Sequence, residues 1–323
     1  MKGWILKNGS LVWEDQLPEV NQTTEHVLCD VLTSALNHRD VWIKYGKYPD
    51  IKENIILGSD GCVIFDGKRY IINPSIEWGN NELVQSDEYS VLGMPTHGTF
   101  SDTISISREN LILVPDYLTD EEAAALPLAG LTAYRALISR ARTTPSDVVL
   151  VNGIGGGVAM MAFQFALAQG CKVIVTSGHQ WKLDLAIKLG AHAGYLYTDD
   201  HWTKRLIADF GGVDVIIDSA GGDGFSNLMK VIKPGGRITI YGGTLGKITN
   251  LNTQVLFWRQ VSILGSTMGS DQDFKEMVDF VQKYDIKPII DDVFPLSQLE
   301  LGMKKMETGQ QFGKIVFQNQ NLH

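Results

Sequence analysis

The chain has 323 residues, 44% hydrophobic and 20% charged, with 28 Lys and Arg against 37 Asp and Glu for a formal net charge of −9. That length accommodates two domains and a sizeable core, and the balance is that of an ordinary soluble globular protein. An acidic chain without a Lys/Arg cluster argues against nucleic acid or an anionic membrane as a partner, and no apolar run approaches membrane-spanning length.

Met1-Lys2-Gly3-Trp4 enters a short strand-like run that is polar by Lys7, so no signal peptide is expected. Cys29, Cys62 and Cys171 are widely spaced and form no Cys-x-x-Cys pair. A disulfide framework or a cysteine-rich zinc site is therefore not expected, and each reads as a small buried apolar residue. The expected location is a reducing cytoplasm.

Residues 1–116 read as β-rich. Short apolar runs at Trp4–Leu6, His26–Leu32, Gly61–Phe65 and Tyr70–Ile72 are separated by Gly, Asn, Asp and Pro. Asn73–Thr99 has no clear period and reads as a long loop, the kind that in a compact domain is often functional. Phe100–Ile106 alternates like a strand. At Thr119 the texture changes. Thr119 with Glu122 three residues on, followed by Ala123-Ala124-Ala125-Leu126, is a capping box that opens a helix.

From there to residue 265 strands alternate with helical patterns. The strands are Val148–Asn152, Cys171–Thr176, Val213–Asp218, Arg237–Tyr241 and Ser262–Leu264, and Lys233-Pro234-Gly235-Gly236 reads as a turn. Near-continuous apolar strands alternating with helices predict a doubly wound parallel sheet. The tail reads as a helix at Phe274–Tyr284, a strand at Ile289–Phe294, a helix at Gln298–Glu307 and a strand at Lys314–Phe317.

The chain's organising stretch is Ser146 to Ala191. An apolar strand enters the turn Asn152-Gly153-Ile154-Gly155-Gly156-Gly157-Val158, a helical run Ala159–Ala168 follows, and a second β-branched strand comes next. Strand, glycine turn, helix, strand is the context of a dinucleotide site. Gly153, Gly155, Gly156, Gly157 and Val158 are the candidate pyrophosphate cradle, because helix-start amides and the helix dipole favour an anion. No Lys-Ser/Thr follows the glycines, which excludes a phosphate-loop NTPase. An NAD site places an acid after the second strand to hold the ribose 2′-hydroxyl. Here Cys171–Leu183 holds no Asp or Glu and offers Ser177 and Lys182 instead. A hydroxyl and an ammonium suit a 2′-phosphate, so NADP(H) is the expected cofactor.

At this point the residues resemble a family over nearly the whole chain. Ala35-Leu36-Asn37-His38-Arg39-Asp40, Gly46-x-Tyr48-Pro49, Gly58-Ser59-Asp60-Gly61, Gly98-Thr99-Phe100, Ala123-Ala124-Ala125-Leu126-Pro127, Leu131-Thr132-Ala133-Tyr134, Pro234-Gly235-Gly236-Arg237 and Gly313-Lys314-Ile315-Val316 are similar to segments of the medium-chain dehydrogenase/reductases, in the zinc-independent quinone oxidoreductase branch. The resemblance implies a GroES-like catalytic domain, residues 1–118 plus 266–323, into which a Rossmann NADP-binding domain, residues 119–265, is inserted. It places the active site in the cleft and implies a homodimer paired through the edge strand Val261–Gly265. In the zinc branch a Cys stands in the place of Asn37 and a His-Glu pair in the place of Ser59-Asp60. Asn37 and Ser59 are poor zinc ligands, so no metal is expected. Departures from the branch are Ala159 in place of a glycine and Gly67-Lys68-Arg69-Tyr70 in place of Gly-Asp-Arg-Val, the latter expected to weaken an ion pair within the domain.

Without a metal, little in the chain polarises a saturated ketone. The expected substrate is already electrophilic, a quinone or an alkene conjugated to a carbonyl, which needs an oriented nicotinamide and a donor for the developing oxyanion. Tyr48 is the first candidate donor. Asn37 and Trp42 are expected beside the nicotinamide, Thr132 near it, and Asp40 and Asp60 as groups that fix loop geometry. For the cofactor the resemblance adds Tyr197, Tyr241, Gly242, Gly243 and Lys314. The substrate pocket is expected along Asn73–Thr99, with Trp78, Met94 and His97. The alternatives are an alcohol dehydrogenase-like activity and an NADPH-binding protein with negligible turnover.

Overall fold

The computed structural model describes residues 1–17 and 25–319. In chain order the first elements are β1 (Gly3–Lys7), β2 (Ser10–Glu14), β3 (His26–Ala35), α1 (His38–Lys44), β4 (Ile55–Ile56), β5 (Asp60–Phe65), β6 (Lys68–Ile72), β7 (Ser75–Ile76), β8 (Ser90–Val91), β9 (Thr103–Ser107) and β10 (Leu111–Leu113). Then come α2 (Asp120–Ala125), α3 (Pro127–Tyr134), β11 (Val148–Val151), α4 (Gly157–Ala168), β12 (Lys172–Ser177), α5 (Gln180–Lys188), β13 (Ala193–Leu196), α6 (Trp202–Phe210) and β14 (Val213–Asp218). The chain continues through α7 (Phe225–Val231), β15 (Ile232–Ile240), α8 (Thr253–Trp258), β16 (Ser262–Gly265), α9 (Asp271–Lys283), β17 (Ile290–Pro295), α10 (Leu299–Glu307) and β18 (Lys314–Gln318). It divides into two compact units, Met1–Leu131 with Ser270–His323, and Thr132–Gly269.

The first unit is built on a seven-stranded sheet of order β10-β6-β5-β3-β18-β17, with β9 also paired to β3. The alternation in His26–Ala35 is realised as a strand with one face in the core, where Val27, Cys29 and Val31 are buried. A second cluster packs Leu36, Val41, Leu57, Met94 and Phe100 against Ile315 and Phe317 from the tail. The order β5-β3-β18 matters most for function. Ala35 pairs with Asp60, and Val316 pairs with Ala35, so the end of one strand and the starts of its two neighbours converge. Asn37, Asp60 and Lys314 occupy those three ends.

The capping box forms as read: Glu122 N–H donates to Thr119 Oγ1 at 3.2 Å, and Thr119 N–H donates to Glu122 Oε2 at 2.9 Å. Arg69, which the chain shares with the branch, meets Asp120 at 2.7 Å. Helix α1 was not legible in the β-rich texture; its seven residues are too few to display a helical period.

The second unit is a six-stranded parallel sheet of order β13-β12-β11-β14-β15-β16 with helices between the strands. Val149, Leu150, Val151, Val173, Ile174 and Val175 are completely buried, which is why those strands read as unbroken apolar runs. Two details differ from the sequence reading. Lys233–Gly236 is not a free turn: it lies inside β15, where the register against β14 shifts between Val213 and Val215. Strand β13 was missed because Ala193-Gly194-Tyr195-Leu196 carries one glycine and no β-branched residue.

One close approach fixes the β4–β5 corner. A Cβ on Gly98 would lie 1.9 Å from the Gly58 carbonyl oxygen and 2.7 Å from Gly93 Cα. Both neighbours are backbone, so Gly98→Ala is expected to lose about 3 kcal/mol and lower the melting temperature. Gly224→Ala, with φ of −62° and nothing within 4 Å of its Cβ, serves as the comparison in the same circular-dichroism melt.

Candidate active site

In the first unit, α1 begins just after β3. The Asn37 backbone N–H donates to Asp40 Oδ2 at 2.8 Å, so Asp40 caps the helix start. That leaves the Asn37 side-chain amide for other partners. Its Nδ2 donates to Asp60 Oδ2 at 2.9 Å, and its Oδ1 accepts from Lys314 Nζ at 2.8 Å. Lys314 Nζ also meets Asp60 Oδ2 at 2.7 Å. The other Asp60 oxygen accepts the Leu128 N–H at 2.7 Å, in the first turn of α3, where the helix dipole favours an anion. Asp60 is 0% exposed and Lys314 3%. This is a buried ion pair with an amide bridging it, in which the Lys314 ammonium meets two acceptors.

Beside it, Arg39 Nη1 donates to Ser59 Oγ at 2.6 Å, and Ser59 Oγ donates to the Leu92 carbonyl at 2.8 Å. Arg39 Nε reaches the Tyr48 hydroxyl at 3.2 Å. Trp42 is half-buried, with its ring edge-to-face on His38 at 5.2 Å. Of the residues expected to act on substrate, the structure thus gathers Asn37 and Tyr48, through Arg39, Ser59 and Asp60, around the start of α1. Lys314, expected at the cofactor, is the cation of this cluster. Trp42 packs on His38. Thr132, in the second unit, is buried with its hydroxyl 3.7 Å from Met268 Sδ.

A cavity of about 440 Å³ also lies in the first unit, lined by Ile76, Trp78, Leu92, His97 and Asp271 among others. Trp78 and His97, expected along the substrate pocket, are among its lining residues. Met94 is instead buried in the core with Leu57 and Phe100. His97 Nδ1 accepts the Ile56 N–H at 3.1 Å, and burial lowers its pKa, so it is a neutral imidazole.

In the second unit, Thr176 pins the glycine turn. Gly153 N–H donates to Thr176 Oγ1 at 3.0 Å and Ile154 N–H to the Thr176 carbonyl at 2.8 Å. Gly153 and Gly155 take φ of 79° and 128°, which only glycine adopts without strain. Gly156 is different. Its φ is −78° and nothing lies within 4 Å of a Cβ built on it. Neither the backbone nor the packing requires a glycine there. Met160 N–H to Gly156 carbonyl is an early bond of the α4 ladder, and the Gly157, Val158 and Ala159 amides stand ahead of it at the positive helix end.

The strand ends around this turn form a polar layer that sequence reasoning missed. Asn152 Nδ2 donates to Asp218 Oδ1 at 2.7 Å, and Thr176 Oγ1 donates to Asn152 Oδ1 at 2.6 Å. Asp218 also accepts the Ala220 and Gly221 amides at 3.2 and 3.0 Å. Each of these residues ends an apolar strand of a parallel sheet, which was the available signal. At the end of β12, Ser177 Oγ accepts the His179 N–H at 3.2 Å, and the Tyr197 hydroxyl stands 2.7 Å from where a Gly178 Cβ would be. Ser177 and Tyr197 are therefore neighbours. Lys182 is buried in α5, its ammonium 5.2 Å from the Trp181 ring. Tyr241 ends beside the Ser219 loop, on which Gly242 also packs, and burial pushes its phenol up to about 12. Gly243 is exposed just beyond.

A parallel sheet with a glycine turn at its strand ends, carried in one chain with a β-rich unit, fits the class of dinucleotide-dependent oxidoreductases of two-part build. Comparison with known proteins makes this specific. Residues 157–283 match the model of the family described as Zinc-binding dehydrogenase. The zinc-type alcohol dehydrogenase-like protein YogA of Leptosphaeria maculans is 32% identical, over 97% of this chain and 96% of its own. A crystal structure described as an NAD-dependent alcohol dehydrogenase superposes with a TM-score of 0.93 at 33% identity, covering 99% of this chain and 100% of that one. The quinone oxidoreductase of Thermus thermophilus, solved also with NADPH, gives a TM-score of 0.84 at 25% identity, covering 99% and 100%. The chain belongs to the medium-chain dehydrogenase/reductase family of oxidoreductases.

The zinc in that family description does not fit these residues. Zinc takes thiolate, imidazole or carboxylate. Asn37 offers an amide, the Ser59 hydroxyl is engaged by Arg39 and Leu92, and the carboxylate of Asp60 already holds an ammonium. A dication beside Lys314 Nζ would be repelled. Among the described residues no three of His, Cys, Asp or Glu are grouped to hold a metal.

Asp40 carries the site's clearest pH dependence. It is 0% exposed, its Oδ1 has no partner, and burial raises its pKa from 3.8 to about 6 against the lowering effect of Arg39. The folded state therefore keeps a proton that the unfolded chain gives up between those values. Stability from this group is full below pH 3.8 and is lost as pH rises through about 6. The loss is about 3 kcal/mol. Asp40→Asn keeps the acceptor for the Asn37 N–H without the charge. Its melting temperature is expected to exceed the wild type's at neutral pH, with the gap closing toward pH 4 in paired thermal melts.

Proposed function

We propose that the protein is an NADPH-dependent, metal-independent reductase of quinones or α,β-unsaturated carbonyls. The observation that carries this reading is the Lys314 ammonium held between Asn37 Oδ1 and Asp60 Oδ2, in the group of residues where the zinc branch places its ligands. An enzyme with a fixed ammonium there has no Lewis acid to ionise an alcohol, and needs an acceptor that spreads charge by conjugation. In this reading Tyr48 donates to the developing oxyanion, and Asn37, Trp42 and Thr132 serve the nicotinamide. The glycine turn with Gly156, Gly157 and Val158 holds the pyrophosphate. Ser177, Lys182 and Tyr197 hold the adenosine end, and the acid-free end of β12 supports NADP(H) over NAD(H). Tyr241, Gly242 and Gly243 complete the cofactor site. The bound nucleotide supplies hydride.

The reading includes a homodimer. Among the described residues edge strand β16 is unpaired on one side, and Phe257 and Trp258 on the preceding helix are 65% and 82% exposed. No described helix is long and apolar enough to cross a membrane, and the acidic chain is unsuited to polyanions, so small molecules in the cytoplasm are the proposed partners.

NADPH oxidation measured with naphthoquinones against 2-alkenals tests the acceptor. Turnover with at least one class is expected. No turnover with either, despite tight NADPH binding, supports a non-catalytic role instead. Gly156→Ala is expected to weaken NADPH binding about tenfold or more (1.4 kcal/mol per decade) with an unchanged melting temperature. Lys182→Ala is expected to erode the preference for NADPH over NADH; an unchanged ratio removes Lys182 from the 2′-phosphate.

A further inference from the structure

Arg39 is 7% exposed, and a guanidinium at that depth ordinarily faces a carboxylate. Here its hydrogen-bond acceptors are all neutral. Nε donates to the Tyr48 hydroxyl at 3.2 Å, Nη1 to Ser59 Oγ at 2.6 Å and to the Leu92 carbonyl at 2.8 Å, and Nη2 to the Met94 and Val91 carbonyls at 3.4 and 3.5 Å. Asp40 is adjacent, but its hydrogen bond goes to the Asn37 amide. The Arg39 Cζ also lies 4.8 Å from the centroid of the Tyr48 ring. Tyr48 is thus both hydrogen-bonded to and stacked near a buried cation that no hydrogen-bonded anion neutralises among the described residues.

We propose that Arg39 is the positioning residue that makes the Tyr48 phenol a one-way proton donor to the reduced acceptor. The inference rests on the proposed role of Tyr48. A phenol has one hydrogen and two lone pairs, whereas arginine has donors only. The Nε–H occupies a lone pair of the phenol oxygen and offers nothing to accept its proton, so the O–H points away from Arg39. When hydride reaches carbon of the conjugated acceptor, an electron pair moves to the acceptor's oxygen. The Tyr48 O–H bond then breaks, a new O–H bond forms on product, and the phenolate left behind faces a guanidinium that stabilises it. Water returns the proton to Tyr48. Overall the acceptor gains hydride and one solvent proton. Lysine cannot substitute, because its ammonium lacks the planar fork that reaches Tyr48, Ser59 and the carbonyls together.

The test is a double-mutant cycle on NADPH oxidation by 1,4-naphthoquinone, with kcat, KM for NADPH and the solvent deuterium isotope effect read for each form. Arg39→Lys and Tyr48→Phe are each expected to lower kcat, Tyr48→Phe on the order of 100-fold or more as for loss of a proton-transfer group, with KM for NADPH unchanged. The double variant is expected to be no slower than Tyr48→Phe alone. The isotope effect is expected to rise in Arg39→Lys only when Tyr48 is present. Equal losses from Arg39→Lys with and without Tyr48 would overturn the inference and leave the Tyr48 reading standing. Wild-type kcat in Tyr48→Phe overturns both. If Arg39→Lys does not fold, Ser59→Ala loosens the guanidinium without removing it. A smaller kcat loss confined to the Tyr48 background is expected, and an additive loss contradicts the proposal.

Discussion

Lys314, Asp60 and Asn37 form the buried contact on which the proposed chemistry of this chain rests. A carboxylate that is 0% exposed must be neutralised, and the chain neutralises this one with its own ammonium at 2.7 Å. Removing one partner of such a pair costs about 3–5 kcal/mol, because the other charge stays buried. The sheet order β5-β3-β18 makes the contact possible, since it brings two strand starts and one strand end together from positions far apart in sequence. The tail of the chain is therefore part of the site as well as of the fold: β18 delivers the cation.

That choice of cation divides the possibilities for catalysis. A metal can polarise a saturated carbonyl and lower the pKa of a bound alcohol; a fixed ammonium with two acceptors already in place cannot do so by coordination. In the proposed reading the work passes to hydrogen-bond donors near the acceptor and to acceptors that need little help. Arg39 and Tyr48 fit this arrangement. They lie next to the ion pair in the same unit, they are connected through Ser59, and the Ser59 hydroxyl is consumed in holding Arg39.

Much of the second unit was legible in the sequence because its signals are local. Completely buried parallel strands must be apolar throughout, and a turn with φ of 79° and 128° must be glycine. The capping box at Thr119 was legible for the same reason. What escaped was non-local. Nothing near Lys314 in sequence points to Asp60, which lies 254 residues away. The Asn152, Thr176 and Asp218 layer is assembled from three strands. The role of Arg39 depends on carbonyls that a loop contributes from Val91 to Met94. β13 escaped because its partners, rather than its residues, hold it extended.

The most direct test of the account is metal content set beside activity. The purified protein would be analysed for zinc, dialysed against a chelator, and assayed for NADPH oxidation with the best conjugated acceptor. The account predicts substoichiometric zinc and undiminished turnover after chelation. One zinc per chain, with activity lost on its removal and restored on its return, would contradict it.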